Sequence, residues 1–188
     1  VGNGASGLRI VDVNVKNYNI NIKLDEFNSF FLENIKSSGA VEDVLVPISG
    51  SNIYAGHPTI DSVGLYMSNL HLAAGKYGIY LENSEGIQLA DTEILLTSSH
   101  SLIHKVTSGT TVGMQFDNCY FDSSGDDSLY LESVENGQFN NVWVSPTVGV
   151  GMTLVDCRYN SFTGFQAVNC PGIGVKLKTA SKYNTFTG

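Results

Sequence analysis

Apolar and polar residues alternate in short runs along much of this chain, and glycine, asparagine or aspartate separates the runs. A six-residue motif recurs in which the first position is apolar, the third is Asn, Asp or Gly and, in most copies, the sixth is apolar. This alternation predicts short strands with one buried face, and the third residue predicts a bend with a positive φ. The seven copies, spaced by 22, 27, 23, 23 and 24 residues after the second, begin at Leu32, Met67, Leu89, Phe116, Phe139, Phe162 and Phe186.

A second alternating pair of apolar positions precedes the motif, and in four repeats the next motif begins eight positions after the end of this pair. Two short strands in each repeat predict an all-β fold, a parallel β-helix with coils of about 22–27 residues. A leucine-rich repeat would need a consensus that is missing here, and a propeller blade needs about 40 residues. The pairs are Ile22/Leu24, Val44/Val46, Ile79/Leu81, Leu102/His104, Leu129/Leu131, Met152/Leu154 and Val175/Leu177.

The repeat pattern predicts two parts in the chain. Residues 1–21 alternate without fitting the register, which predicts an irregular N-terminal coil or cap, and residues 22–188 form the β-helix. An insertion from Pro47 to Asp61 and an extension from Thr107 to Thr111 interrupt the pattern, and such loops commonly frame a binding face. Both ends of the sequence look like cuts within a longer chain.

Composition narrows the range of functions. The net charge of −8 disfavours a nucleic-acid-binding protein, which needs a basic face. No apolar run approaches the roughly 18 residues that predict a membrane-spanning segment, so we expect no membrane insertion. Three cysteines without zinc-type spacing predict no metal site and no cofactor, and Cys119 falls on an inward row, where we expect it to be buried.

Stacking the coils brings polar outward residues of the second strand set onto one face. Glu82 and Glu132 share a row two coils apart, at roughly 9.6 Å, near the upper limit of the carboxyl spacing in inverting glycosidases. Asp126 and Asp127 would point to opposite sides of an extended strand, so we expect one of them to face this surface. The candidate catalytic residues are Asp126, Asp127, Glu132, Glu82 and His100, and the candidate substrate-binding residues are Tyr80, Lys105, Tyr130, Lys176 and Lys178.

Each of these candidates also has a purely structural interpretation. The two aspartates suit a turn that caps a bend. Glu82, Lys105 and Glu132 suit a ladder of opposite charges along one row, and the histidine and the two C-terminal lysines suit a solvated surface. These alternatives stay open at the level of the sequence.

Three segments at one-coil spacing resemble the polygalacturonase branch of the pectin-lyase-like family of right-handed parallel β-helices. Gly125-Asp126-Asp127 resembles its Gly-Asp-Asp motif, in which aspartates activate water and protonate the leaving oxygen. Gly149-Val150-Gly151 and Lys176-Leu177-Lys178 follow where that branch has Gly-His-Gly and Arg-Ile-Lys, with Lys176 in place of the arginine. Val150 replaces the histidine and Ser98-Ser99-His100 replaces an Asn-Thr-Asp motif, so the resemblance implies the fold without the complete polygalacturonase site.

Two further segments, Tyr159–Gly164 and Tyr183–Gly188, resemble coils in the β-helical tail spikes and tail fibres of bacteriophages. That resemblance implies a homotrimer in a virion tail or another extracellular setting, with a bacterial surface polysaccharide as the partner. The predicted function is a carbohydrate-directed segment that binds such a polysaccharide. Whether the segment also cleaves the polysaccharide is left open. If it does, hydrolysis is favoured over a lyase reaction. The alternatives are a non-catalytic receptor-binding or shaft segment and a cellular pectinase-like glycosidase or lyase.

Overall fold

The computed structural model describes residues 6–41, 48–59, 61–107 and 109–188. In these residues all regular structure is β-strand, and no helix is long and apolar enough to cross a membrane. The strands are β1 (Arg9–Lys16), β2 (Ile20–Leu24), β3 (Asn28–Ser38), β4 (Ser51–Gly56), β5 (Ser62–Ala73), β6 (Tyr77–Glu82), β7 (Ser84–Leu95), β8 (Leu102–Lys105), β9 (Thr111–Val112), β10 (Gln115–Ser124), β11 (Leu129–Glu132), β12 (Val134–Glu135), β13 (Gln138–Pro146), β14 (Met152–Val155), β15 (Ser161–Thr163), β16 (Gln166–Ala167), β17 (Val175–Lys178) and β18 (Thr185–Thr187).

The strands form parallel sheets whose neighbours come from successive coils. The first sheet runs in the order β1-β3-β5-β7-β10-β13-β15-β18, with β16 also paired to β13. The second sheet runs β17-β14-β11-β8-β6-β4-β2, and β9 and β12 form a short third sheet. From β1 to β17, each coil therefore contributes to both main sheets, which confirms the predicted parallel β-helix.

The seven copies of the motif lie side by side in the first sheet. Leu32 pairs with Met67, and Phe116 pairs with both Leu89 and Phe139. The third residue of each copy has a positive φ, from 48° at Asp91 to 64° at Gly164 in the first six. The predicted bend is confirmed, and residues that tolerate the left-handed region occupy it because an ordinary side chain is strained there.

The regular register also includes the beginning of the chain. Strand β1 pairs with β3, so that Ile10 lies beside Leu32, and Asp12 has a φ of 58° like the bends that follow it. Arg9–Lys16 therefore belongs to a coil of the same form. The division of the chain at residue 22 stays a prediction.

The insertion predicted between Pro47 and Asp61 is wrong over Ser51–Gly56. These residues form β4, in which Ile53 pairs with Ile22 and Ala55 pairs with Leu24. The strand predicted at residues 44–46 lies outside the described residues. The alternation in β4 is not recognised from the sequence because two small residues typical of a loop, Ser49 and Gly50, directly precede it.

Inward side chains of both sheets fill the interior of the solenoid. Phe139 and Phe162 stack with ring centroids 4.6 Å apart, Phe162 stacks on Phe186 at the same distance, and Phe116 meets Phe139 edge-on at 5.0 Å. This is the aromatic column expected from the register. Cys119 is buried, as predicted, and its thiol is free.

Candidate functional site

The outer face of the second sheet carries the predicted site rows. Ile103 pairs with Tyr80 and with Tyr130, and Lys176 pairs with Thr153 farther along the same row. Glu82 pairs with Lys105, and Glu132 continues that neighbouring row. The register of both rows is therefore the one predicted.

The turn before each strand of the second sheet also stacks from coil to coil. The Asp126 amide donates to the Ser99 carbonyl at 3.1 Å, and the Val150 amide donates to Asp127 Oδ1 at 2.8 Å. Close packing of these turns requires glycine at position 149, where a Cβ atom would lie 2.4 Å from the Asp126 carbonyl carbon. The turns bring His100 and the two aspartates onto adjacent coils at one corner of the face.

His100, Asp126 and Asp127 form a cluster that we call the triad. Each offers one potential ligand atom, and these three atoms lie within 4.8 Å of one another. Asp126 is exposed, whereas only 9% of Asp127 is exposed. Both aspartates lie in the turn before β11 and not in an extended strand, so the condition under which their side chains would diverge is not met.

Two tyrosine rings flank the imidazole of the triad. The His100 ring meets Tyr130 edge-on at 5.7 Å and lies 6.2 Å from Tyr77, and its Nδ1 atom is 2.8 Å from Ser99 Oγ. Burial lowers the pKa of His100; the two aspartates oppose this shift, and Lys105 adds to it. His100 is therefore mainly neutral near pH 7, as a proton acceptor or a metal ligand must be.

The exposure expected of Tyr80 is wrong, because only 8% of this residue is exposed. Tyr80 packs in a small outer cluster with Tyr54 and Ile103. The Tyr54 hydroxyl donates to Glu82 Oε2 at 2.8 Å, and burial raises the pKa of both tyrosines. Tyr54 was missed by sequence analysis because its strand was assigned to an insertion, although Ile53 and Ala55 on either side carry the alternation that identifies it.

The charged candidates occupy different parts of the face. Glu82 and Glu132 are half-buried and Lys105 is exposed. Among the described residues no ion pair joins Lys105 to either glutamate. Lys176 and Lys178 lie in β17, two coils beyond the strand that follows the triad. The structure therefore brings together His100, Asp126, Asp127 and Tyr130, and leaves the two C-terminal lysines at a distance.

A family model described as "Periplasmic copper-binding protein (NosD)" matches residues 18–188. The chain belongs to the NosD family. No curated protein and no solved structure matches it. The NosD match agrees with the β-helical fold, and the predicted resemblance to phage tail spikes is not shown by these comparisons.

Most sulfur-containing side chains of this NosD-family chain lie inside the solenoid. Met67, Met114 and Met152 are buried in the core, and burial raises the pKa of the Cys119 thiol to about 12 and that of Cys157 to about 11. The sulfur atoms of these five residues lie in the core, whereas Cys170 is partly exposed. The triad offers one imidazole and two carboxylates, which are nitrogen and oxygen donors.

Proposed function

We propose that this protein is a cell-envelope glycan-directed β-helix of the periplasm that binds a polysaccharide on the outer face of the second sheet and hydrolyses it at the triad. The observation that carries the proposal is the meeting of His100, Asp126 and Asp127 within 4.8 Å beside the half-buried ring of Tyr130. The periplasmic location rests on the description of the NosD family.

The chemistry required is a pair of carboxyl groups with different surroundings. Asp126 is open to solvent, while Asp127 is nearly buried and accepts a hydrogen bond from the Val150 amide. Oxygen atoms this close resemble the spacing of retaining glycosidases, about 5–5.5 Å, more than the wider spacing of inverting enzymes. Neutral His100 supplies a further proton acceptor, and the Tyr130 ring offers an apolar edge with a polar tip to a sugar.

The test is release of reducing ends from a panel of capsular, O-antigen and pectic polysaccharides. We expect Asp126→Asn and Asp127→Asn each to lower the rate at least 100-fold, because positioned acid–base groups contribute about 10²–10⁴-fold. Asp61→Asn, an exposed aspartate elsewhere, is the matched control and should keep the full rate.

Two outcomes would reject hydrolysis at the triad. One is activity that survives Asp126→Asn and Asp127→Asn combined, and the other is no reducing-end release from any glycan in the panel. An absorbance increase from unsaturated uronate products would identify a lyase reaction in its place.

A second function has its own support: we infer that the triad binds Cu(II). Its donor set suits this ion, the three ligand atoms lie within 4.8 Å, and the family description names copper. When bound, copper would supply a Lewis acid or a redox centre at this corner of the face. His100 would provide the imidazole nitrogen, and Asp126 and Asp127 would provide carboxylate oxygens.

Electron paramagnetic resonance of Cu(II) added to the purified protein tests this inference. We expect a bound-copper spectrum with nitrogen coupling that His100→Ala removes and that His71→Ala, which alters an exposed histidine on the first sheet, leaves unchanged. An identical spectrum in the His100 variant would contradict it. Hydrolysis that persists in a chelator would show that the two functions are separate.

A further inference from the structure

A groove of about 390 Å³ runs along the outer face of the first sheet, on the strand segments before the bend. One side consists of a row with one residue from each of five coils, and the other side consists of smaller or polar residues such as Ser68 and Ala90. The floor is the backbone of the strands. The register gives the row as Phe31, Tyr66, Gln88, Gln115 and Gln138.

Three successive amides in this row have no protein partner. Gln88, Gln115 and Gln138 are exposed, and within the described part of the chain no side-chain hydrogen bond involves them. The nearby bend row behaves differently, since Asn141 donates to Asn118 and Asn118 donates to Asp91. The donors and acceptors of the glutamine amides are therefore available to a ligand. Successive amides are one coil apart.

Charge and backbone pairing exclude other classes of ligand from this groove. Arg9 forms an ion pair with Glu33, which leaves Asp117 as the uncompensated charge along the lining. A slightly negative groove repels polyanions such as nucleic acids and acidic glycans. A peptide strand adds to the open edge of a sheet, whereas this groove lies on a face whose strands are already paired on both sides.

We propose that this groove binds a linear, uncharged glycan. Sugar hydroxyls both donate and accept hydrogen bonds, as primary amides do. The coil spacing of about 4.8 Å is close to the length of one sugar ring, so a linear chain meets one amide per ring. Phe31, which is 40% exposed, stacks on Tyr66 at 4.8 Å and forms an apolar wall at the N-terminal end. This site is separate from the triad and does not depend on the function proposed there.

Isothermal titration with neutral β-1,4-linked oligomers of glucose and of N-acetylglucosamine, two to seven rings long, tests the proposal. We expect the affinity to rise with each ring up to about five, one for each coil in the row, and then to level off. Gln115→Leu, which keeps the size and removes the amide, should weaken binding about five-fold. The matched control is Gln166→Leu, an exposed glutamine of the first sheet after the bend, which should change nothing.

Two further measurements locate the site. Asp61→Asn, at an exposed aspartate outside the groove lining, should leave the affinity for the oligomers unchanged, which separates the groove from a general effect of surface charge. Emission from the single tryptophan, Trp143, should also stay unchanged, because it stacks on Tyr120 beyond the bend. The proposal is overturned if no neutral oligomer binds at millimolar concentration, if Gln115→Leu binds as tightly as the natural protein, or if oligogalacturonate binds more tightly than the neutral oligomers.

Discussion

The His104 side chain lies inside the solenoid, where its strand pattern predicts an apolar residue. It is completely buried, with Nδ1 3.1 Å from the Glu132 carbonyl oxygen and Nε2 3.2 Å from Thr111 Oγ1. Burial lowers its pKa to about 4. The folded protein therefore holds a neutral imidazole that satisfies two polar groups in the core.

Folding stability should depend on pH through this residue. In the unfolded chain the pKa returns to about 6.5, so between pH 6.5 and pH 4 the unfolded state takes up a proton that the folded state does not. The contribution of buried, neutral His104 to the free energy of unfolding is complete above pH 6.5 and decreases as the pH falls. At pH 4 the loss is about 3 kcal/mol. Urea unfolding of the natural protein and of His104→Leu between pH 7.5 and pH 4.5 measures the difference.

The variant should be less stable at pH 7.5, because Thr111 loses its partner, and should have a much flatter pH dependence. His71→Leu, at an exposed position, is the control and should keep the full slope. An equally steep loss of stability in His104→Leu would contradict this account.

For some single residues the position can be predicted from the sequence, and for others it cannot. The inward positions of Cys119 and His104 follow from alternation alone, because a strand fixes the direction of each side chain. The meeting of Asp126 and Asp127 with His100 does not follow, since it depends on the φ and ψ angles of a bend. The burial of Tyr80 depends on neighbours that pack across its outer face, including Tyr54, and alternation carries no information about such covering.

The bends of the first sheet act together as an element, linked by side-chain hydrogen bonds. Asn34 donates to Asp12 at 2.7 Å, and Asn69 donates to Asn34. Farther along, Asn118 donates to Asp91 at 3.3 Å and Asn141 donates to Asn118 at 3.2 Å. Asparagine suits this position twice over, because it tolerates a positive φ and carries both a donor and an acceptor.

Two substitutions at Asn118, whose φ is 52°, separate the effect of the side-chain hydrogen bonds from that of the positive φ. Asn118→Gly removes the hydrogen bonds and keeps the backbone relaxed, so we expect a loss of about 1 kcal/mol in the free energy of unfolding. Asn118→Ala also forces a β-carbon into the left-handed region, which should cost about 1 kcal/mol more. Urea unfolding of the three proteins measures both steps. Equal stability of the Gly and Ala variants would show that backbone strain contributes nothing there.

The whole molecule is a stack in which each coil contacts mainly its neighbours. That is why the fold could be predicted from one sequence: a pattern within 23 residues, repeated, specifies both the coil and its stacking. The homotrimer expected from the sequence stays a prediction, because a pattern within one coil carries no information about contacts between chains.

The two proposed sites lie on different faces of this stack. The triad lies at a corner before the second sheet and combines residues from adjacent coils. The glutamine row lies on the first sheet and repeats one kind of residue. A site of the first kind depends on irregular turns, whereas a site of the second kind arises directly from the repeat.

The side-chain hydrogen bonds between the bends of the first sheet form a ladder that consists of two runs. Each run begins at a carboxylate that only accepts a hydrogen bond, Asp12 in one run and Asp91 in the other. Among the described residues no side-chain hydrogen bond joins Asn69 to Asp91. A change that breaks the side-chain hydrogen bonds of one run therefore leaves those of the other run in place.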